Sequence, residues 1–355
     1  MAEPRLQTAP LDLATAFHAR KAADPTARSR DIADALGVTE GVLVEARRGD
    51  DVHRLAPRGV DFVGLLEALK DAGPVMSLTR NDAAVHETTG QMDTVASHNT
   101  MGQVLGGIDL RLFLRHWHVG YAVREETRSG RRSSIQVFDA TGMPVIKLYA
   151  VASTDMALWQ RIVEDNLDSA SEPTTFAPSA APEPERPDSE IDVVALREGW
   201  LALDHSHDFH RLLRETGAGR EQALRLAGED LAFCTTAEIV ERMLTGAAKS
   251  GVSLMCFVGN PGCLQIFSGP VEQVATMGPW LNVLDPGFNL HLRTDKIAST
   301  WVVIKPTRLR GRITSVELFD AQHQLICQFF GSRPPGEPER DAWRGLLEQS
   351  LGAAA

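Results

Sequence analysis

Apolar and polar positions change rhythm along the chain, and they do so twice in the same order. The segments LATAFHARKAA (13–23), SRDIADALG (29–37) and VDFVGLLEALKDAG (60–73) space apolar residues near 3.6 and end on small residues or glycine, which predicts helices. Shorter runs follow, alternating or densely apolar: VMSLTRN (75–81), AAVHETTG (83–90), LRLFLR (110–115), VGYAVREET (119–127) and SIQVFDA (134–140). The same order returns later. Helical spacing fills LREGWLALDHSHDFHRLLRETG (196–217), GREQALRLAGED (219–230) and TAEIVERMLTGAAKSG (236–251). Strand-like runs then occupy 253–260, 263–269, 280–285, 288–294, 299–307, 314–321 and 324–331, bounded by Gly, Asn, Asp and Pro. Helices first and consecutive strands afterwards predict an α+β fold with antiparallel sheets rather than βαβ units.

The two passes are a duplication. TRNDAAVHETTG (79–90) aligns with VGNPGCLQIFSG (258–269), matching Asn81 to Asn260 and Gly90 to Gly269. SSIQVFDATGMPV (133–145) aligns with TSVELFDAQHQLI (314–326), and Trp159 with Trp343. In the helical part, Phe17-His18 is paired with Phe209-His210, and RDIADALG (30–37) with REQALRLAG (220–228). Between the copies, residues 168–190 carry Pro173, Pro178, Pro182, Pro184 and Pro187 among small and acidic residues. Such a segment has neither a hydrophobic face nor regular hydrogen bonding and is expected to be an exposed linker. The expected organisation is an N-terminal repeat over 1–167, the linker over 168–190 and a C-terminal repeat over 191–355, each repeat with helices followed by an antiparallel sheet.

Composition narrows the function classes. The 355 residues are 43% hydrophobic and 23% charged, ordinary for a globular chain. No apolar run approaches a membrane span, and the N-terminus lacks a charged segment leading into an apolar one, so export is not expected and a cytoplasmic location is. The net charge of -11 argues against a broad nucleic-acid footprint but leaves room for a small cationic pocket. Cys234, Cys256, Cys263 and Cys327 form no CxxC pair. They are expected to be buried thiols rather than a disulfide framework or a zinc site. No GxGxxG or Walker loop is present.

One segment breaks the symmetry. His205, His207 and His210 fall within six residues. On one continuous helix, Leu196, Trp200, Leu203 and His207 would share a stripe. His207 then reads either as a hydrogen-bonded histidine or as a ligand to a metal or haem. With Phe17 matched to Phe209 its counterpart is Thr15, so only one copy has the imidazole. Separately, TARSRDIADALGVTEGVLVEARR (26–48) has helix-turn-helix spacing at Ala33, Gly37 and Val38, with Arg28, Arg30, Arg47 and Arg48 nearby. The alternative is a helical hairpin used as scaffold, which the acidic balance favours over a DNA-binding regulator.

The pattern Trp200-x6-His207-x-Phe209 followed by Leu212-Leu213, together with MCFVGNPGCLQIFSG (255–269), FNLHL (288–292), WVVIKPT (301–307), TRNDAAVHE (79–87) and IDLRLFLRHW (108–117), resembles the bacterial cytoplasmic haem-utilisation proteins of the HemS/ChuS/HmuS type. The resemblance covers nearly the whole chain outside the linker. It implies that His207 is the proximal axial ligand of the iron of haem b (iron protoporphyrin IX). It further implies that Arg220 lies near the propionates, that Met255 and Phe257 pack on the macrocycle, and that Lys305, Gln328 and Arg333 are polar pocket residues. Arg111 would approach the iron from the distal side. The chain departs from the family in two places. His210 stands where an aromatic residue is usual, which makes it a possible alternate ligand. Phe330 stands where Tyr is frequent, which removes a hydroxyl.

The chemistry of the ligand agrees with that set. Haem needs a neutral nitrogen donor, apolar faces, and cationic donors for its two carboxylates. Those elements could meet in a cleft between the halves, one haem per chain. The resemblance implies haemin degradation with release of iron, with His207 and Arg111 in catalytic roles and NAD(P)H or ascorbate as candidate electron donors. The alternative is a non-catalytic haem chaperone or storage protein passing haem from an inner-membrane importer to a separate haem oxygenase.

Overall fold

The computed structural model describes residues 10–49, 51–56, 62–127, 130–168, 172–179, 184–334 and 336–352. Residues 1–9, on which part of the N-terminal reading rests, and residues 169–171 and 180–183 of the linker lie outside them. The first copy runs α1 (Pro10–Ala23), α2 (Ser29–Leu36), α3 (Glu40–Ala46), β1 (Val52–Leu55), α4 (Phe62–Lys70), β2 (Val75–Arg80), β3 (Ala84–Gly90), β4 (Met92–His98), β5 (Met101–Gly106), β6 (Asp109–Phe113), β7 (Val119–Thr127), β8 (Gly130–Phe138), β9 (Pro144–Ala150) and α5 (Met156–Asp165). The second repeats it as α6 (Val193–Leu201), α7 (Phe209–Thr216), α8 (Arg220–Ala227), β10 (Ala232–Thr235), α9 (Glu238–Ser250), β11 (Leu254–Asn260), β12 (Cys263–Gly269), β13 (Val274–Met277), β14 (Trp280–Asp285), β15 (Phe288–Arg293), β16 (Ser299–Thr307), β17 (Gly311–Phe319), β18 (Leu325–Gly331) and α10 (Asp341–Gly352).

The architecture is the expected α+β duplication, with two antiparallel sheets of nine strands. Their orders are β1-β7-β8-β9-β2-β3-β15-β14-β13 and β10-β16-β17-β18-β11-β12-β6-β5-β4, each the image of the other under exchange of the copies. The chain forms two compact units. The first holds Met1–Thr79, Thr88–Ala180 and Asn260–Leu264; the second holds Arg80–Glu87, Ala181–Gly259 and Gln265–Ala355. A matched pair of asparagines explains the short borrowed segments. In the second unit, Asn81 Nδ2 donates to the carbonyls of Gly259 (3.1 Å) and Ile326 (2.7 Å). In the first, Asn260 Nδ2 donates to that of Val145 at 2.9 Å.

Three expectations are corrected. First, 196–217 is not one helix. α6 stops at Leu201, a 3-10 turn covers Ser206–Asp208, and α7 starts at Phe209. Asp204, His205, Ser206 and Asp208 compete for backbone hydrogen bonds, and Asp208 Oδ2 accepts the His205 N–H at 2.9 Å, which starts a new helix instead of continuing the old one. Second, the repeat register of the helices shifts. α2 ends at Gly37 (φ 68°) and α7 at Gly217 (φ 68°), both left-handed, where the missing side chain makes that conformation accessible. α2 therefore corresponds to α7 and α3 to α8. The counterpart of His207 becomes Ala27 rather than Thr15, and REQALRLAG corresponds to α3 rather than to RDIADALG. Third, the described residues of the linker are tied to the rest of the chain by hydrogen bonds, and Asp188–Glu190 form a 3-10 turn. Arg54 Nη1 donates to the Glu172 carbonyl (2.7 Å), Thr174 N–H to Glu45 (3.1 Å) and Ala177 N–H to Ala140 (2.7 Å). At the other end, Gln222 Nε2 donates to the Arg186 carbonyl (2.7 Å) and to Asp188 (2.8 Å). Periodicity also missed short or amphipathic pieces such as β4, β9 and α10. Of the cysteines, Cys256, Cys263 and Cys327 are buried as expected, but Cys234 is exposed because it lies on β10, the edge strand of its sheet.

Candidate functional site

The candidate site is built on one face of β16, β17, β18 and β11 in the second unit. Along β11, Leu254, Cys256 and Val258 are fully buried, while Met255 and Phe257 between them are half-buried, the period-two signature of a strand with two different faces. The buried set joins Ile326, Cys327, Phe329, Val316 and Leu318 under α9 and α10. The other face is fixed by register. Phe257 pairs with Gln328, Gln328 with Glu317 and Glu317 with Trp301. One row away, Met255 pairs with Phe330, Phe330 with Ser315 and Ser315 with Val303. α6, α7 and α8 pack on the Val303 and Phe319 end of this face through Leu196, Trp200, Phe209, Leu212 and Leu224. Met255, Phe257 and Phe330 stay half-buried, and the rings of Phe257 and Phe330 meet edge to face at 5.0 Å.

His207 sits in the 3-10 turn at the head of α7 and is exposed. The stripe that the sequence suggested is real for Leu196, Trp200 and Leu203, all buried in one cluster, but His207 is separated from it by the break. Phe209 anchors the turn, its ring 4.4 Å from that of Trp200, and Trp200 Nε1 donates to the Ile304 carbonyl at 3.0 Å. His210 lies three residues on and is also exposed. Loss of water around its ring, then the cations of Arg220 and Lys305, push its pKa down to about 4. It is therefore a neutral imidazole at physiological pH.

Arg220 and Lys305 are not solvated surface charges. Arg220, at the start of α8, grips Glu317 of β17 with Nε at 2.7 Å and Nη2 at 2.9 Å. Lys305 Nζ reaches the same carboxylate at 3.1 Å, and Ser315 Oγ adds a hydrogen bond at 3.0 Å. Lys305 and Glu317 side chains are 3% and 0% exposed, Arg220 14%. Both cations face the Phe209 ring, at 5.3 and 4.8 Å from its centroid. Burial disfavours the charged carboxylate, yet Arg220 and Lys305 outweigh it and hold Glu317 well below the usual range. Burial, reinforced by Arg220 and opposed by Glu317, draws Lys305 below its ordinary value.

Gln328 is buried beside Phe257 and Glu317 in the strand register. Arg333, just past β18, is half-buried, and its Nη1 has no hydrogen-bond partner among the described residues. Burial lowers its pKa, against the pull of Glu339. Arg111 belongs to the first unit, where it is ion-paired with Asp109 and donates to the Leu110 carbonyl at 3.1 Å. The structure thus gathers Arg220 and Lys305 into one cluster near His210, and sets Met255, Phe257 and Gln328 on the sheet face that carries Glu317. Glu317 itself escaped the sequence reading. Its signal was present: in TSVELFDA it shares strand parity with Ser315 and Phe319, opposite the core residues Val316 and Leu318.

Among the described residues, no three or more His, Cys, Asp or Glu side chains are grouped to hold a bare metal ion. The donor set is one of imidazole, guanidinium, ammonium and apolar surface, which fits a metal carried inside an anionic macrocycle.

Comparison with known proteins gives a consistent answer. A holo structure of PhuS, described as a heme-binding protein from Pseudomonas aeruginosa, is 44% identical, with a TM-score of 0.92 and coverage of 96% of this chain and 99% of that one. ChuS of Escherichia coli O157:H7, described as a heme degrading enzyme, is 34% identical, with a TM-score of 0.88 and the same coverage. The hemin transport protein HmuS of Yersinia pestis is 36% identical over 333 residues, 93% of this chain and 95% of that protein. The haemin-degrading HemS/ChuX domain model matches twice, over residues 37–166 and 217–350, starting in both copies at the left-handed glycine that ends α2 or α7. The chain therefore belongs to the HemS family of haemin-degrading HemS/ChuX domains, in duplicated form.

Proposed function

We propose that this protein binds one haem b per chain with His207 as the axial ligand of the iron, and degrades it to release iron. The observation that carries this reading is the exposed imidazole of His207 on a turn anchored by Phe209, whose ring is faced by the Arg220 and Lys305 cations. An imidazole nitrogen is a ligand for haem iron. Arg220 serves a propionate by charge-assisted hydrogen bonding, and Met255, Phe257 and Phe330 offer apolar surface to the macrocycle. Gln328, beside Phe257 in the strand register, and Arg333 keep the polar pocket roles, and Arg111 the distal role, that the family resemblance implies. Haem is cargo or substrate here and supplies the redox chemistry; the chain supplies ligation, orientation and electrostatics. The proposed location is the cytoplasm. No helix among the described residues is long and apolar enough to cross a membrane.

His210 favours a second reading, a haem chaperone. A neutral imidazole three residues from His207 offers the iron a second nitrogen, and ligand exchange assists transfer from an inner-membrane importer to a separate oxygenase. One experiment separates the two. Reconstituted protein is mixed with ascorbate or NAD(P)H, with and without oxygen, and with catalase present. Loss of the Soret band with released iron and a tetrapyrrole product supports degradation. A stable holo-protein that only hands haem to an acceptor supports the chaperone. Failure to bind haemin at all overturns both. A DNA-binding role for the α2–α3 hairpin finds little support, since Arg30, Arg47 and Arg48 are paired with Asp34, Glu125 and Glu45.

A further inference from the structure

A fully buried carboxylate with two cations is seldom the most stable way to fill a core. Apolar residues of similar volume often do as well or better. Glu317, Arg220 and Lys305 together supply something an apolar core cannot, a surplus positive charge held at a fixed place. Glu317 takes Nε and Nη2 of Arg220. Arg220 is the member of the triad with some exposure. One edge of the guanidinium is gripped by Glu317, and the side chain as a whole remains 14% exposed. Lys305 stands behind it on the same carboxylate, with the Phe209 ring against both cations. Among the described residues, His210 on α7 also feels the charges of all three members of the triad, and that of His207.

The duplication contains its own comparison. Strand register places Gln136 where the second copy has Glu317, and Glu125 where it has Lys305. On the helices, Glu40 of α3 stands in the place of Arg220 of α8. In the first unit Lys147 is paired with Glu40 and Arg47 with Glu125, so these charges cancel in pairs. The first unit thus keeps the scaffold and lacks the surplus charge, and a Gln is accommodated at this strand position.

Building on the haem reading above, we propose that Glu317 is a positioning residue that assembles Arg220 and Lys305 into a net-positive anchor, and that this anchor makes the second unit selective for a porphyrin bearing free carboxylates. The anchor acts on the propionates and not on the ring or the iron, so charge selectivity is its readout. The full-length chain is titrated with haemin and with haemin dimethyl ester, whose propionates carry no charge, and Soret binding curves are recorded for the wild type, Glu317→Gln and Glu317→Asp. The wild type favours haemin. Glu317→Gln lowers haemin affinity on the order of tenfold, the scale of one charge-assisted hydrogen bond, and leaves the ester unchanged. Glu317→Asp restores part of the preference. Equal loss for both ligands, or an unchanged preference, overturns the inference while leaving haem binding intact. If Glu317→Gln does not fold, the charge-balanced double variant Lys305→Met/Glu317→Gln takes its place, with weakened haemin and unchanged ester expected and undiminished haemin overturning the proposal. Uptake of neither porphyrin by the wild type overturns the haem reading and this inference with it.

Discussion

Glu317 and Arg220 are 97 residues apart in sequence and share two hydrogen bonds, at 2.7 and 2.9 Å. That contact ties the first turn of α8 to the middle of β17. With Lys305 on the same carboxylate, it sets the electrostatics beneath the turn that carries His207.

Breaking this triad from one side should destabilise the fold. Lys305→Met removes one cation from a carboxylate that Arg220 still grips, so the expected cost is about 3 kcal/mol, the low end for a broken buried pair. Urea denaturation measures it. The double variant Lys305→Met/Glu317→Gln should recover part of the loss, and the two single variants should not add.

His207→Ala should abolish the wild-type Soret position of the haem-loaded protein and weaken haemin binding by at least about tenfold, since even residues that only support a ligand are worth that much. Titration of the wild type should saturate at one equivalent. His210→Ala should leave the equilibrium spectrum close to that of the wild type and slow haem transfer to an acceptor, read by stopped-flow absorbance.

Stability should fall in acid in two stages. His86 is fully buried with its ring 5.0 Å from that of Phe288, and burial lowers its pKa from 6.5 to about 3. Between those values the unfolded chain binds the extra proton, so stability is full above pH 6.5 and declines as pH falls through this window, by about 3 kcal/mol at pH 4. His210, lowered to about 4, acts in the same direction. Glu317, held below its ordinary value of 4.5, adds a second loss as pH drops beneath 4.5. His86→Phe should flatten the pH 4–6.5 limb of denaturation midpoints and leave the lower limb in place.

Gly199 lies inside α6, where alanine would be the better helix former. A Cβ there would stand 2.4 Å from Leu212 Cδ1 of α7, so the close approach of the two helices requires glycine. Gly199→Ala should cost about 1–3 kcal/mol by overpacking and push α7 outward, broadening the Soret band of the holo-protein. An unchanged melting temperature would show that Leu212 can simply rotate away.

Much of the fold was legible because its signals are local. The period-two runs at 119–127, 253–260 and 299–307 became β7, β11 and β16, each flanked by the expected turns. The break between α6 and α7 was not legible from periodicity, since Leu196, Trp200, Leu203 and His207 keep helical spacing across it. Polar side chains at Asp204, Ser206 and Asp208 redirect the backbone there, and the spacing is blind to them. The helical repeat register was misjudged for a related reason. Matching letters at Phe17 and Phe209 outweighed the less conspicuous agreement of Gly37 with Gly217, which the left-handed backbone makes decisive.

The sequence by itself determined the α+β duplication and the family, because each depends on patterns within about thirty residues or on motifs repeated between the copies, and the resemblance supplied the candidate ligand-contacting residues. Only the tertiary structure decided what those residues do to one another. Arg220, Lys305 and Glu317 come from α8, β16 and β17, and no spacing rule links them. Their coupling arises because strand pairing and the packing of α7 and α8 bring three charges to one buried point, where the low polarity of the interior makes each depend on the others.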